Sequence, residues 1–279
     1  MIKPVLQDDA FLEDVSRAQS KSDQLHLWWL GQSGFLVQYQ GRHLLIDPYL
    51  SDSLTKKYAG TNKPHVRMTE RVIAPQRLDF IDVVTSSHNH TDHLDGETLI
   101  PLLKANPNLT VLLSRANVDF AANRLQVPPE RLISIRVHAE PITIANFSFQ
   151  AVPSAHETLE QDENGDHKYI GLIIQVGERI IYHSGDAVPY SGLVETFKGW
   201  KIDIAILPIN GRDPARGVAG NFTGQEAAEL GKAIGGGLVI PCHYEMFEFN
   251  TASPQEFVNA ADDINQPYRI LKCGERLSL

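Results

Sequence analysis

The segment 87–93, SHNHTDH, places three imidazoles and one carboxylate within six residues. Imidazole nitrogens and carboxylate oxygens are ligands for zinc, manganese and iron. Where the chain is extended, residues two apart project to the same side, so His88 and His90 can share one cation. Once the chain turns, Asp92 and His93 can face a second position beside the first. The pattern predicts a site for one or two divalent metal ions.

Three further candidate ligands stand where an apolar strand is expected to end. They are His156 in VPSAH, Asp186 in YHSGD and His243 in IPCH. Each alone has an ordinary structural explanation, such as a turn-capping aspartate or a hydrogen-bonded histidine. As a set that follows the histidine cluster, they are interpreted as metal ligands from distant parts of the chain.

The elements that position these residues can be read from periodicity and turn signals. Residues 5–20 have the apolar spacing of an amphipathic helix, and short apolar runs separated by glycine-containing turns predict a β-meander over 25–46. A polar, lysine-rich loop follows over 51–77. From residue 82, strands alternate with helices, and the chain closes with a predicted strand near 268–272. This layout predicts two packed sheets with helices outside.

Two late helices carry explicit start signals. Thr223 and Glu226 have the spacing of a capping box, and Ser253 and Glu256 repeat it with a proline at the first helical position. These signals predict helices over 223–234 and 254–263.

The composition narrows the function classes. The chain has 279 residues, a formal net charge of −9 and no dense run of lysine or arginine, so nucleic acid is not an expected partner. There is no signal-peptide pattern and no apolar stretch of membrane-spanning length. The only cysteines, Cys242 and Cys273, favour reduced thiols and a cytoplasmic location. The expected partner is a small-molecule substrate, and a homo-oligomer is left open.

The motif H-x-H-x-D-H, followed by a distant histidine, aspartate and histidine after strands, resembles the metallo-β-lactamase superfamily. Five further stretches are similar to the branch that contains L-ascorbate-6-phosphate lactonase: WWLGQSGFLV (28–37), LLIDPYL (44–50), IYHSGDA (181–187), PINGRDPARG (208–217) and VIPCHYEMF (239–247). They are more distantly similar to the N-acyl-phosphatidylethanolamine-type phospholipase D enzymes. The resemblance covers nearly the whole chain.

This resemblance implies an α/β (α+β) fold, the four-layer αββα sandwich, in which two mixed β-sheets pack face to face with helices outside. One domain is expected over 1–279, with 1–24 as an N-terminal helical extension. The resemblance also implies that two cations share the ligands. The first is held by His88, His90 and His156, and the second by Asp92, His93 and His243, with Asp186 bridging them. The superfamily at large implies zinc, and the lactonase branch implies manganese.

The chemistry that follows is metal-assisted hydrolysis, in which cations acidify a water and the resulting hydroxide attacks a carbonyl carbon or a phosphorus. Asp92 and His93 are the expected catalytic residues, and Asp92 is expected to accept a hydrogen bond from that hydroxide. The leading function is hydrolysis of a small anionic ester or lactone, similar to a sugar-acid lactone phosphate. The alternatives are a phosphodiesterase or phospholipase D-like hydrolase, and a non-enzymatic metal-dependent sensor.

Three residues after the later strands are candidates for substrate binding. Arg212 and Arg216 suit a phosphate or carboxylate of the substrate; the alternative is a solvated loop with a local Arg212–Asp213 pair. Asn221 either donates a hydrogen bond to the substrate or holds its own turn.

Two other residues are expected to support the ligands rather than join them. Asp47 is expected to brace the ligand loop, since a buried carboxylate at a strand end needs a partner. His183, just before Asp186, is either an orienting residue or a core histidine. The loop 51–77, which contains His65, either covers the site with basic groups or is solvated.

Overall fold

The computed structural model describes residues 1–279, with helices and strands interleaved along the chain. The helices are α1 (Asp8–Ala18), α2 (Ser53–Lys57), α3 (Gly96–Ala105), α4 (Val118–Leu125), α5 (Gly224–Ala233) and α6 (Gln255–Asp263). The strands are β1 (His26–Gly31), β2 (Gly34–Tyr39), β3 (Arg42–Ile46), β4 (Val83–Ser86), β5 (Thr110–Ser114), β6 (Leu132–Ile135), β7 (Ile142–Ile144), β8 (Phe147–Pro153), β9 (Ile170–Val176), β10 (Arg179–His183), β11 (Ile204–Pro208), β12 (Leu238–Cys242) and β13 (Arg276–Ser278).

The strands form two mixed sheets. The first has seven strands in the order β13-β1-β2-β3-β4-β5-β6, antiparallel as far as β3 and parallel from β3 onwards. The second has six strands in the order β12-β11-β10-β9-β8-β7, parallel from β12 to β10 and antiparallel beyond. Every residue of β4 is buried, as expected for a parallel strand covered on both faces.

One continuous hydrophobic core joins the two sheets and the helices that pack on them. Helix α4 contacts β6 of the first sheet, and α5 contacts β11 and β12 of the second. This arrangement confirms the predicted sandwich of two mixed sheets with helices. None of the helices combines the length and apolar character that crossing a bilayer requires.

The helix starts agree with the sequence in one case and differ in the other. The capping box of Thr223 and Glu226 forms as predicted at the start of α5. At α6 the helical residues begin at Gln255, after Pro254, and the expected reciprocal bonds of Ser253 and Glu256 do not form. The carboxylate of Glu256 instead accepts a hydrogen bond from the backbone N–H of Gly224, over 3.3 Å. Glu256 therefore ties the start of α5 to α6.

The predicted closing strand near 268–272 is wrong. Tyr268 forms only an isolated bridge with Val239. The closing strand is β13, which pairs antiparallel with β1 at the edge of the first sheet. The loop 51–77 also contains a short helix, α2, that its polar composition did not indicate.

Candidate metal centre

The candidate ligands lie on four loops that leave one edge of the sandwich. His88, His90, Asp92 and His93 follow β4 of the first sheet. His156, Asp186 and His243 follow β8, β10 and β12 of the second sheet. Both β8 and β10 are antiparallel to β9, and β10, β11 and β12 are parallel, so β8, β10 and β12 all end at the same edge. The sheet topology thus brings residues that are far apart in the sequence close together in space.

All seven predicted ligands come together in two adjacent groups. The first group is His88, His90 and His156, and the second is Asp92, His93, Asp186 and His243. Within each group the potential ligand atoms lie within 4.8 Å of one another. Asp186 connects the groups, because its Oδ2 lies 3.6 Å from Nε2 of His156 and 3.4 Å from Nε2 of His243.

The first group consists of histidines whose environment favours the uncharged ring. Burial is the largest cause that lowers the pKa of all three, and neighbouring imidazoles lower it further. Nδ1 of His156 lies 3.0 Å from the carbonyl oxygen of Gly220, which can only accept, so this nitrogen donates and leaves the Nε2 lone pair free. Nδ1 of His88 lies 3.0 Å from Oγ of Ser87. Uncharged imidazole is the form that binds a cation.

The second group mixes carboxylates with histidines that attract protons. Burial alone raises the pKa of Asp92 and Asp186, but the neighbouring histidines outweigh burial and hold both pKa values below their usual range. Burial lowers the pKa of His93 and His243, yet the nearby carboxylates prevail. The pKa of His243 rises to about 9. The ionised carboxylates create a local negative potential, so the neighbouring imidazoles tend to retain protons. A divalent cation can replace these protons.

Two buried nitrogen atoms without hydrogen-bond partners show that the two ligand groups fit metal ions. Nε2 of His88 and Nε2 of His93 are buried and have no hydrogen-bond partner in the protein. An unpaired buried polar atom costs about 1–3 kcal/mol, and a coordinated cation removes that cost. The donors are imidazole and carboxylate without thiolate, a set that suits zinc, manganese or iron.

Asp47, the residue expected to brace the ligand loop, contacts both that loop and one of the proposed ligands. Its Oδ2 lies 2.7 Å from Nδ1 of His93 and also contacts Oγ of Ser87. Its Oδ1 accepts a hydrogen bond from the backbone N–H of Ser87 over 3.0 Å. One carboxylate therefore orients a ligand ring and fixes the first residue of the ligand loop.

His183 and Asn221 hold the turn that carries Asp186. His183 donates from Nε2 to the carbonyl oxygen of Ser33 and accepts at Nδ1 from the N–H of Gly185, at 3.0 and 3.2 Å. Oδ1 of Asn221 accepts a hydrogen bond from the N–H of Ala187 over 2.9 Å. Asn221 is 1% exposed and does not line the cavity next to the metal centre. The observed contacts of Asn221 are thus with the protein's own loops.

Gln32 belongs to the centre, although the sequence did not single it out. It follows β1, and its Nε2 lies 2.8 Å from Oδ2 of Asp92 and 3.0 Å from Nε2 of His243. Gln32, Asp47 and His243 all have positive φ angles, of 51°, 41° and 61°. Such angles in residues other than glycine concentrate at functional sites. Only the three-dimensional backbone reveals this signal.

A cavity of about 570 Å³ opens onto the centre, and His90, Asp92, His156, Asp186 and His243 contribute to its wall. This volume is typical of small-molecule sites.

The loop 51–77 also lines this cavity. Lys57, Tyr58, Lys63 and His65 line the cavity from this loop, and Arg124 adds a third cationic side chain from α4. The His65 ring stacks on that of Tyr58, with centroids 4.3 Å apart. Lys63 also donates to the carbonyl oxygen of Gly217, which joins this loop to the one after β11.

Arg212 and Arg216, the two arginines expected to bind substrate, do not line this cavity. Arg212 forms a bidentate pair with Glu226 at 2.6 and 2.5 Å, and not with Asp213. It borders a neighbouring surface pocket. Arg216 donates to the backbone oxygens of Asn210 and Thr251. Both guanidinium groups are engaged in holding loops of the protein itself.

Comparison with known proteins agrees with this fold. Residues 42–244 match the beta-lactamase superfamily domain. A metal-dependent hydrolase of Caldivirga maquilingensis is 26% identical over 257 residues, which are 91% of this chain and 98% of that protein. An Escherichia coli O127:H6 protein named "Probable L-ascorbate-6-phosphate lactonase UlaG" is 23% identical over 273 residues, covering 88% of this chain and 76% of that protein.

A solved structure of a metallo hydrolase from Ignicoccus hospitalis superposes with a TM-score of 0.67 at 18% identity, covering 92% of this chain and 98% of that one. This likeness shows the fold. Because the family domain matches most of the chain, the protein belongs to the beta-lactamase superfamily. The predicted family is confirmed, and so is the prediction of a metal-dependent hydrolase at the level of that class.

Proposed function

We propose that the protein hydrolyses a small anionic ester or lactone, of the sugar-acid lactone phosphate kind, at a centre of two divalent cations, manganese or zinc. The proposed ligands are His88, His90 and His156 for the first cation and Asp92, His93 and His243 for the second, with Asp186 shared. Bound cations of this kind lower the pKa of water and supply hydroxide near neutral pH.

The observation that carries the substrate class is the charge of the cavity wall. Its acidic residues, Asp92 and Asp186, both belong to the proposed ligand set. The same cavity is also lined by the cationic side chains Lys57, Lys63 and Arg124. Two divalent cations more than neutralise two carboxylates, so the remaining charge of the cavity is positive. A carboxylate or phosphate group on the substrate is favoured there.

The other roles in hydrolysis and substrate binding are proposed for individual side chains around the cavity. Asp92, on the cavity wall, would accept a hydrogen bond from a water bound in the cavity, and His93, which is completely buried, would help to hold the second cation. Asp47 keeps His93 oriented through the bond to Nδ1. Lys57 and Lys63 are placed to bind the anionic end of a substrate, and Tyr58 offers an apolar face beside them.

The lactone preference also draws on the Escherichia coli relative, whose name gives a phosphorylated lactone as substrate. The test is a comparison of three substrates with protein loaded with Mn²⁺ or Zn²⁺: a phosphorylated sugar-acid lactone, its unphosphorylated parent, and bis-(p-nitrophenyl) phosphate. We expect the highest kcat/KM for the phosphorylated lactone. Faster cleavage of the phosphodiester would favour the phosphodiesterase alternative, and equal rates for the two lactones would remove the anion-binding role.

We further propose a cytoplasmic location. Its support is that both cysteines, Cys242 and Cys273, are buried free thiols. Such use of cysteine is typical of a reducing compartment.

A further inference from the structure

Gln32 is a buried amide placed between two proposed ligands of the second cation. It is 1% exposed and lines the cavity above the centre. One terminal atom of its amide lies 2.8 Å from Oδ2 of Asp92 and 3.0 Å from Nε2 of His243. The other terminal atom, Oε1, is buried and has no hydrogen-bond partner.

The backbone of Gln32 is fixed in this place. Its carbonyl oxygen accepts hydrogen bonds from the N–H of His243 and from Nε1 of Trp29, both over 2.9 Å. Its φ angle of 51° lies in the left-handed region, which costs a residue with a side chain about 1 kcal/mol or more. The hydrogen bond from the N–H of His243 to the carbonyl oxygen of Gln32 holds this conformation. The same hydrogen bond therefore fixes the backbone positions of Gln32 and of a proposed metal ligand.

The distances at Gln32 are those found between neighbouring ligands of one cation. Two donor atoms that each lie about 2.1 Å from a cation, at right angles, are about 3 Å apart. The amide atom beside Asp92 and His243 meets this spacing with both. Rotation of the terminal amide by half a turn exchanges Nε2 and Oε1, and this torsion is soft. Beside a divalent cation the carbonyl end is the favoured one.

We propose that Gln32 supplies a fifth donor to the second cation through its side-chain carbonyl oxygen, in addition to Asp92, His93, Asp186 and His243. The inference rests on the ligand assignment of the proposed function. A neutral carbonyl oxygen is a hard ligand, which suits Mn²⁺ better than Zn²⁺. Gln32 therefore biases the second position towards oxygen-preferring cations, whereas the first position, with three imidazoles, lacks such a donor.

The experiment compares metal binding by the wild type with that by Gln32→Met and Gln32→Glu. Methionine removes the oxygen at similar length, and glutamate keeps an oxygen while losing the N–H groups. Gln38→Met is a matched control, because Gln38 is also buried, has an unpartnered Oε1, and lies 2.9 Å from a histidine nitrogen, that of His43. Chelator competition gives the two dissociation constants for Mn²⁺ and Zn²⁺. The visible absorption of bound Co²⁺ reports coordination number, since it strengthens as ligands are lost.

We expect Gln32→Met to weaken the second Mn²⁺ by about 10–100-fold, with a smaller change for Zn²⁺ and no change at the first position. Its Co²⁺ absorption should be stronger than that of the wild type, while Gln32→Glu and Gln38→Met should keep the wild-type spectrum. An unchanged second constant and spectrum in Gln32→Met would overturn the proposal. So would a Gln32→Glu variant that matches Gln32→Met, since the amide would then act only by N–H donation. If the wild-type protein bound no second cation, the ligand assignment of the proposed function would be contradicted instead.

Discussion

Oδ2 of Asp47 lies 2.7 Å from Nδ1 of His93, and both side chains are completely buried. A carboxylate oxygen accepts, so Nδ1 donates its proton here and Nε2 is the nitrogen left for a cation. Nε2 lies 3.2 Å from Oδ1 of Asp186, inside the second ligand group. A carboxylate behind a ligand imidazole fixes the ring and raises its basicity. This hydrogen bond links Asp47, which directly follows β3, to a proposed metal ligand in the loop after β4.

Asp47→Asn should weaken the second cation by about 10–100-fold and the first by less, since Asp47 reaches His88 only through Oγ of Ser87. The amide cannot stabilise positive charge on His93 as the carboxylate does. Chelator competition with Mn²⁺ measures both constants. The control is Asp82→Asn, since Asp82 also accepts a backbone N–H, that of His43 over 2.8 Å, but has no contact with the ligands. Equal losses in both variants would show a general folding effect instead.

Lys57→Gln should raise KM for an anionic ester by up to about fivefold and leave a neutral ester unaffected, because an exposed charge contact contributes about 1 kcal/mol at most. Lys56→Gln is the matched control. Lys56 is the preceding residue, and its Nζ pairs with Oε2 of Glu97 over 2.6 Å without lining the cavity. Steady-state kinetics of each variant with one anionic and one neutral ester measures the two KM values. The anion-binding role of Lys57 is untenable if both variants behave alike.

Arg212→Ala should reduce stability and not substrate affinity. The bidentate pair with Glu226 is worth about 1 kcal/mol, which corresponds to a fall in Tm of about 2–4 °C. Arg212 holds the pKa of Glu226 below its usual value, so this stability is present above that usual value and is lost as the pH falls through the lowered one. The loss in Tm should therefore be larger at neutral pH than in acid. Thermal unfolding at several pH values measures it.

Arg115→Ala is the control for that experiment, because Arg115 is exposed and forms no ion pair. It should leave Tm nearly unchanged at every pH. A rise in KM in Arg212→Ala without any loss of stability would restore the original substrate-binding interpretation.

The two cations should differ in their dependence on pH. The pKa of His243 is raised to about 9 by nearby carboxylates, so this ring holds a proton at neutral pH that the second cation must displace; the same carboxylates also raise the pKa of His93. The histidines of the first group have lowered pKa values and release none. From pH 7 to 9 the second affinity should rise, by up to about tenfold per pH unit for each proton released, and the first should stay constant.

Calorimetric titration with Mn²⁺ in two buffers of different ionisation enthalpy counts these protons. Two binding events with the same proton release would contradict the proposed division of the ligands.

The sequence predicted the ligand cluster because residue type and short spacing carry that information directly, as in His88 and His90. It also predicted Asp47, since a carboxylate at a strand end next to such a cluster needs a partner. Gln32 was missed because its role depends on β1 ending beside β12 and on a left-handed backbone. Neither feature can be read from the order of residues.

Other features of the site could not be read from the sequence for a similar reason. Arg212 finds its partner in Glu226, which is fourteen positions along and faces it only after the chain turns into α5. Lys57 and His65 reach the cavity because the polar loop folds back over the centre, a path that composition cannot specify. The predicted strand at 268–272 contains the apolar pair Ile270 and Leu271, but β13 completes the edge of the first sheet instead.

The central claim is that seven side chains from both sheets hold two cations. Anomalous X-ray diffraction from crystals grown with Mn²⁺ or Zn²⁺, combined with metal analysis of the same protein, tests it most directly. We predict two anomalous peaks, one among His88, His90 and His156 and one among Asp92, His93 and His243, with Asp186 in contact with both. Crystals with no peak at these side chains, or protein that takes up no metal, would contradict the account.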